Sequence, residues 1–244
     1  VPGKNAIVLS SDERATIRST RIVYSGPIAS FDLSKPLIEG NTLTGGAHIM
    51  GGFGNGAKIR GNRVEWSDWG IESRGAAAPL IMGNTIIEVG YPIRAEGGSA
   101  VIRDNRIEHG SSNDTGIEYV DGTGAIEGNA VAGYARGVAV TDFDGTISGN
   151  IIDAAFDGVK MTGSNGAITD NQIVAAFTGI SLSESSPDVV GNRVEGSANG
   201  VSVAGAGSAP TFSGNELCGT TRSVATSDGA AVPELSGLGV CAGS

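Results

Sequence analysis

The chain has 244 residues, 40 of them Gly, and a formal net charge of −10. That balance excludes a generic binder of nucleic acid or anionic membrane, because no Lys/Arg cluster is available to neutralise phosphates. Strong helix formers are scarce, and no apolar run approaches the roughly 18 residues a membrane-crossing helix needs, so many short strands joined by tight turns are expected.

One short unit recurs along the chain. Asn stands at Asn41, Asn62, Asn84, Asn105, Asn129, Asn150, Asn171, Asn192 and Asn215, at spacings of 21, 22, 21, 24, 21, 21, 21 and 23. Three residues before each lies an apolar residue, from Ile38 and Ile59 to Val189 and Phe212. Two residues after each lies another, from Leu43 and Val64 to Val194 and Leu217. A third apolar site, usually behind Gly, follows at Ile49, Ile71, Ile93, Ile117, Val138, Val159, Ile180 and Val201. Thr20 occupies the Asn slot one coil earlier, between Ile17 and Ile22, and Ile7 and Val224 extend the third row at either end.

A fixed period of this length is the signature of a solenoid. Three strands per turn of about 21 residues predict an all-β, single-stranded parallel β-helix of about ten coils, roughly 48 Å long. Asn tolerates the left-handed conformation and is expected to make a two-residue corner at Gly-Asn, its amides bonding from coil to coil as an internal ladder. The expected organisation is one domain over residues 1–244, with coils from about 7 to 224 and a cap or tail over 225–244. A chain opening at Val1 without an initiator Met reads as a mature form or a piece of a longer one, and residues before Val1, or a partner, are expected to cover the first coil. Cys218 and Cys241 are expected to pair and pin the tail, which fits a secreted protein.

The Ile-x-Gly-Asn-x-Ile … Gly-Ile pattern resembles the right-handed parallel β-helix repeat proteins of the pectate-lyase-like superfamily, and most of all NosD-type periplasmic and secreted repeats. The resemblance implies the right-handed fold, and implies that the outer face of the Gly-Ile strand is where substrate grooves lie in polysaccharide lyases and epimerases. It does not imply an activity, because this fold hosts many.

On that face the outward rows read Met50, Glu72, Arg94, Glu118, Ala139, Lys160, Ser181, Ser202 and Gly52, Arg74, Glu96, Val120, Thr141, Thr162, Ser183, Ala204. Charge gathers in the middle coils, either as a binding surface or as a ladder of alternating sign on a solvated face. Beside it lies the one long insertion, running from His109 to Thr115 and containing Asp114 and the acceptor triplet Asn113-Asp114-Thr115. His109 is a candidate acid or base, or an exposed loop residue. Asp121, Asp142 and Asp144 fall where consecutive coils stack them, as Ca²⁺ ligands or as turn formers. Trp66, Trp69, Tyr91 and Tyr134 are expected to be exposed and able to stack on sugar rings, with Phe156 and Phe177 as core filler. The Gly51–Gly56 stretch opens no helix and is no phosphate cradle.

Two readings follow. In the first, the protein is a secreted or cell-surface β-helix that binds carbohydrate, or serves as a structural or adhesive module, using Glu72, Arg74, Glu96, Asp114, Glu118, Trp66, Trp69 and Tyr91. In the second it is a polysaccharide lyase or epimerase acting on uronates. There Ca²⁺ on the aspartates would neutralise the uronate carboxylate, His109 or Lys160 would abstract the proton, and Arg94 would anchor the carboxylate. The catalytic motifs of polygalacturonases, mannuronan epimerases and pectate lyases are missing, which favours the first.

Overall fold

The computed structural model describes residues 6–9, 15–24, 26–30, 35–53, 56–75, 78–109, 114–231, 233–234 and 236–241. Among them are 28 strands and no helix. The strands build three parallel faces around one apolar core. Ten strands, from Thr16–Arg18 to Thr211–Ser213, make the first face. The second and third faces merge into one 18-stranded sheet, because some strands, such as Arg63–Arg74 and Ile151–Thr162, run through the corner between them.

Register follows the repeat. On the first face Ile38, Ile59, Ile81 and Ile102 are successive Cα partners. On the second, Leu43, Val64, Ile86 and Ile107 align. On the third, Ile71, Ile93, Ile117, Val138 and Val159 do so. All of these side chains are buried in one continuous cluster. Every inward residue therefore packs above and below on residues of its own kind, and the repeat closes as a solenoid because no single coil could bury its own apolar face.

The Asn ladder is present and buried. Each amide donates through Nδ2 to Oδ1 of the next, at 2.9 Å from Asn41 to Asn62 and 3.0 Å from Asn192 to Asn215. The same Oδ1 accepts the preceding Asn backbone N–H, and Thr20 N–H joins the column by donating to Asn41 Oδ1 at 3.0 Å. Asn is not the left-handed residue, however. That conformation belongs to the residue just before it: Gly40, Gly61, Gly83, Asp104, Gly128, Gly149, Asp170, Gly191 and Gly214, with φ between 54° and 66°. The reason is division of labour. The residue ahead of Asn makes the bend, which leaves the Asn backbone free to pair and its side chain free to point inward.

The glycine that precedes the inward residue in most third-face strands is fixed by contact rather than by torsion. A Cβ at Gly137 would lie 2.1 Å from Ile152 Cγ2 and 2.8 Å from the Gly158 carbonyl oxygen. Gly116, Gly158 and Gly179 meet the equivalent atoms at similar distances.

A second polar column runs through the corner that follows the third face. Ser164 Oγ accepts from Phe143 N–H at 2.9 Å, Ser185 Oγ from Ser164 N–H at 3.1 Å, and Ser208 Oγ from Ser185 N–H at 3.1 Å. Nearer the middle the same region is filled by the tilted Tyr119–Phe143 ring pair, with centroids 4.8 Å apart.

Beyond the last full coil, Leu238–Val240 pairs with the strand Asn215–Cys218, so the tail adds a strand to the second face. Cys218 and Cys241 are disulfide-bonded, with Cα atoms 4.9 Å apart. The 23-residue separation gives a loop whose closure is worth about 3 kcal/mol. Cys241→Ser should therefore melt at lower temperature and lose protection first in Leu238–Val240. Two titratable thiols in protein purified under oxidising conditions would contradict the bond.

Candidate functional site

The third face is bordered by two corners, and the residues singled out in the sequence divide among the three places. At the corner before it, several coils leave the second face through a left-handed residue, among them Tyr24, Gly45, Trp66, Glu88, His109 and Gly133. A non-Gly residue costs about 1–2 kcal/mol there. Three successive coils nevertheless place a large side chain in this slot, with φ of 52° at Trp66, 56° at Glu88 and 60° at His109. Strain of this kind concentrates where a side chain has to be aimed.

Those three side chains border a groove of about 440 Å³, together with Ser67, Asp68 and Asp114. Val89 and Gly90 also line it, and Gly90 leaves room because a Cβ would lie 3.1 Å from the Asp68 carbonyl oxygen. Trp66 is 64% exposed. His109 is exposed, its Nε2 3.9 Å from Glu108 Oε2. The acceptor triplet begins at Asn113, outside the described residues.

Tyr134 is not an exposed aromatic. It is fully buried, and its hydroxyl crosses an intervening coil to donate to the Val89 carbonyl at 2.9 Å, beneath the groove. Burial, reinforced by the charges of Asp114 and Glu88, raises its phenol above the usual value, against the opposing effect of the Val89 hydrogen bond. Phe156 and Phe177 are likewise not core: they are 46% and 48% exposed and stacked on each other, centroids 4.6 Å apart. Both sit at the corner, where strand alternation no longer dictates which way a side chain faces. Trp69 and Tyr91 stack in the same fashion at 4.5 Å. Because these partners belong to adjacent coils, their ring planes lie across the long axis and each covers one face of the other. Trp66 is the aromatic of the groove with no such partner among the described ring pairs.

On the third face the charged block closes on itself. Arg74 donates to Glu72 Oε1 through Nε at 2.9 Å and Nη2 at 2.7 Å. Arg94 pairs with Glu118 at 3.1 Å and lies 3.9 Å from Glu96 and 4.0 Å from Glu72. Glu72 is only 4% exposed. The alternating signs thus compensate one another along the face, with Arg94 set among three carboxylates. Lys160 lies two strands beyond Glu118, past Ala139, and lines neither of the two grooves flanking the charged block.

At the corner after the third face, Asp121 and Asp142 take left-handed φ of 54° and 50°, in the slot that Gly75, Gly97 and Gly163 fill in other coils. With Glu96 and Asp144 they border an open groove of about 670 Å³. Asp144 Oδ1 accepts the Asn165 backbone N–H at 3.0 Å. Among the described residues the one set of three ligand-type side chains within 4.8 Å is Glu216, Cys218 and Cys241, whose sulfurs are bonded to each other. Asp121, Asp142 and Asp144 thus share one groove, with Asp121 and Asp142 at the left-handed bend of their coils.

Asp157 is a titratable group that the sequence did not single out. It is buried beside Arg136, 3.8 Å away, and burial raises its carboxyl above the usual range against the charges of Arg136 and Lys160. A raised folded-state pKa means that this group favours folding below its unfolded pKa of about 3.9 and loses that contribution as pH climbs through the folded value. Asp157→Asn should accordingly raise the melting temperature at pH 7 relative to wild type, by more than it does at pH 3. Equal shifts at both pH values would show that the ionised form carries no penalty.

The fold and its grooves define a parallel β-solenoid with a surface cleft on its middle coils. The family model for the right-handed β-helix region matches residues 3–151 and 69–217, and the chain belongs to that family. No curated protein and no solved structure matches the chain significantly. The family fixes the right-handed winding and leaves the chemistry to the site.

Proposed function

We propose that this protein is a secreted or cell-surface β-helix that binds carbohydrate through the groove before the third face. The observation that carries the reading is Trp66, an exposed indole held in a left-handed backbone slot, with Asp68, Glu88, His109 and Asp114 around it. An indole face buries the apolar C–H surface of a sugar, while carboxylates and imidazole accept its hydroxyls. A stiff rod presenting that groove suits an adhesive or accessory module of the cell exterior, and the Cys218–Cys241 disulfide suits an oxidising compartment. Binding asks nothing further of these residues. A lyase or epimerase would need more: His109 or Lys160 as base, brought together with Arg94 and the three aspartates.

Titration of an oligosaccharide panel by calorimetry tests this. Wild type should bind at least one member, and Trp66→Ala should weaken it by at least about tenfold, or 1.4 kcal/mol. Binding that survives Trp66→Ala undiminished would locate the site elsewhere, and absence of binding across the panel would refute the reading.

A further inference from the structure

Trp66 has a counterpart on its own corner. Val23, Thr44 and Glu65 are successive Cα partners on the second face, and the residue after each begins the corner: Tyr24, Gly45 and Trp66. Tyr24 thus stands in the slot of Trp66, two coils nearer the start of the chain and roughly 10 Å away along the axis. Its φ is 51°, in the left-handed region that strains any residue but Gly, and its side chain is 85% exposed. Burial does not offset the strain of holding a phenol in water there, and strain of this kind marks a side chain that is aimed.

Gly45 shows where the ring lies. A Cβ on Gly45 would fall 2.5 Å from Tyr24 Cδ1 and 2.6 Å from Cε1. The ring therefore fills the place of the side chain that Gly45 lacks, and reaches forward by one coil toward Trp66. Neither Tyr24 nor Trp66 belongs to a ring pair among the described residues, so both keep aromatic surface for a ligand. Past Trp66 the groove continues to Glu88 and His109. From the coil of Gly45 to that of His109 the track spans about 14 Å.

The surroundings decide what lies on it. From Ala15 to Trp66, Tyr24 and Trp66 are themselves the exposed large apolar side chains among the described residues. Beside them on the second face lie Thr44 and the Arg63–Glu65 ion pair. A protein partner would want a contiguous apolar patch of a few hundred Å². Single rings set along a polar ridge match instead a polymer of sugar rings, each with an apolar C–H face and a rim of hydroxyls.

We infer that Tyr24, laid over Gly45, is a second sugar platform, and that the bound glycan runs lengthwise along the corner from the groove past Trp66 to Tyr24. This rests on the carbohydrate-binding reading above and adds to it an orientation and a preference for long chains. Disaccharides and hexasaccharides cut from cellulose, chitin and polygalacturonate are the probes, titrated by calorimetry. A disaccharide fills the groove at Trp66, whereas a hexasaccharide also reaches Tyr24.

In at least one series the hexasaccharide should bind at least about tenfold tighter than the disaccharide, more than its extra binding registers supply. Tyr24→Ala should cut that advantage below about threefold and leave the disaccharide unchanged, while Tyr24→Phe keeps it and Trp66→Ala weakens both lengths. Gly45→Ala should act like Tyr24→Ala, because its methyl displaces the ring. Gly46→Ala is its control: φ there is 100°, which also strains an added methyl, but nothing lies within 4 Å of it. Should Gly45→Ala fail to fold, Tyr24→Ala decides alone, since it leaves the backbone slot as it is. Wild type binding both lengths alike, or Tyr24→Ala keeping the full advantage, overturns the lengthwise track and keeps the Trp66 site. So does equal behaviour of folded Gly45→Ala and Gly46→Ala. Failure of every oligomer to bind wild type removes both readings.

Discussion

Asn150→Leu is expected to cost about 3–6 kcal/mol. The side chain it removes donates to the Ile126 carbonyl and to Asn171 Oδ1, both at 2.9 Å, and accepts from Asn129 through its backbone N–H at 2.9 Å and its amide at 3.0 Å. Leu has the same branched skeleton of heavy atoms but offers neither donor nor acceptor. Asn129 keeps two N–H groups in a corner closed to water, and each stranded group costs about 1–3 kcal/mol. Denaturant melts would read the loss, with the exposed Asn165→Leu as a control expected within about 0.5 kcal/mol. If both variants unfold at the same midpoint, the amide column is not what holds this corner.

Gly158→Ala is the second large effect, at about 3 kcal/mol or more. The added methyl would sit 2.1 Å from Ile173 Cγ2 and 2.7 Å from the Gly179 carbonyl oxygen. One obstacle is a core side chain and the other the backbone of the next coil, so neither can retreat without opening the stack. Gly52→Ala, where the nearest atom is the Arg74 carbonyl oxygen at 3.7 Å, should be close to neutral. Should Gly158→Ala melt like Gly52→Ala, the coils are looser than their register implies.

The fold was legible because burial on a strand alternates, and a period of 21 residues repeats that alternation in place. Ile59, Val64 and Ile71 announce their three faces and occupy them. Corners carry no such rule. Tyr134 was expected outside and is buried, while Phe156 and Phe177 were expected inside and are exposed, because a turning backbone can send a side chain either way. The same limit assigned the left-handed bend to Asn rather than to the Gly or Asp before it. The serine column had a readable signal, Ser164, Ser185 and Ser208 at spacings of 21 and 23, hidden because Ser is common and its neighbours in the column are Phe and Gly. At the site, the sequence marked His109 and Asp114 through the insertion and Trp66 as an aromatic beside the corner. It could not show that Glu72, Arg74, Arg94, Glu96 and Glu118 consume one another, since pairing depends on which way long side chains lean. Ser67, Asp68 and Glu88 had no distinguishing pattern at all.

The Asn column also has a sense of direction. From Asn41 to Asn192 every amide nitrogen points to the oxygen of the coil that follows, so the small dipoles add along the axis and polarise one another. An amide turned end for end would bring oxygen against oxygen on one side and nitrogen against nitrogen on the other. The column is consistent in one orientation throughout or broken at a definite place. A coil can join or leave the rod as a whole repeat without disturbing that choice, and a coil that lengthens must do so away from it, as the insertion after His109 does.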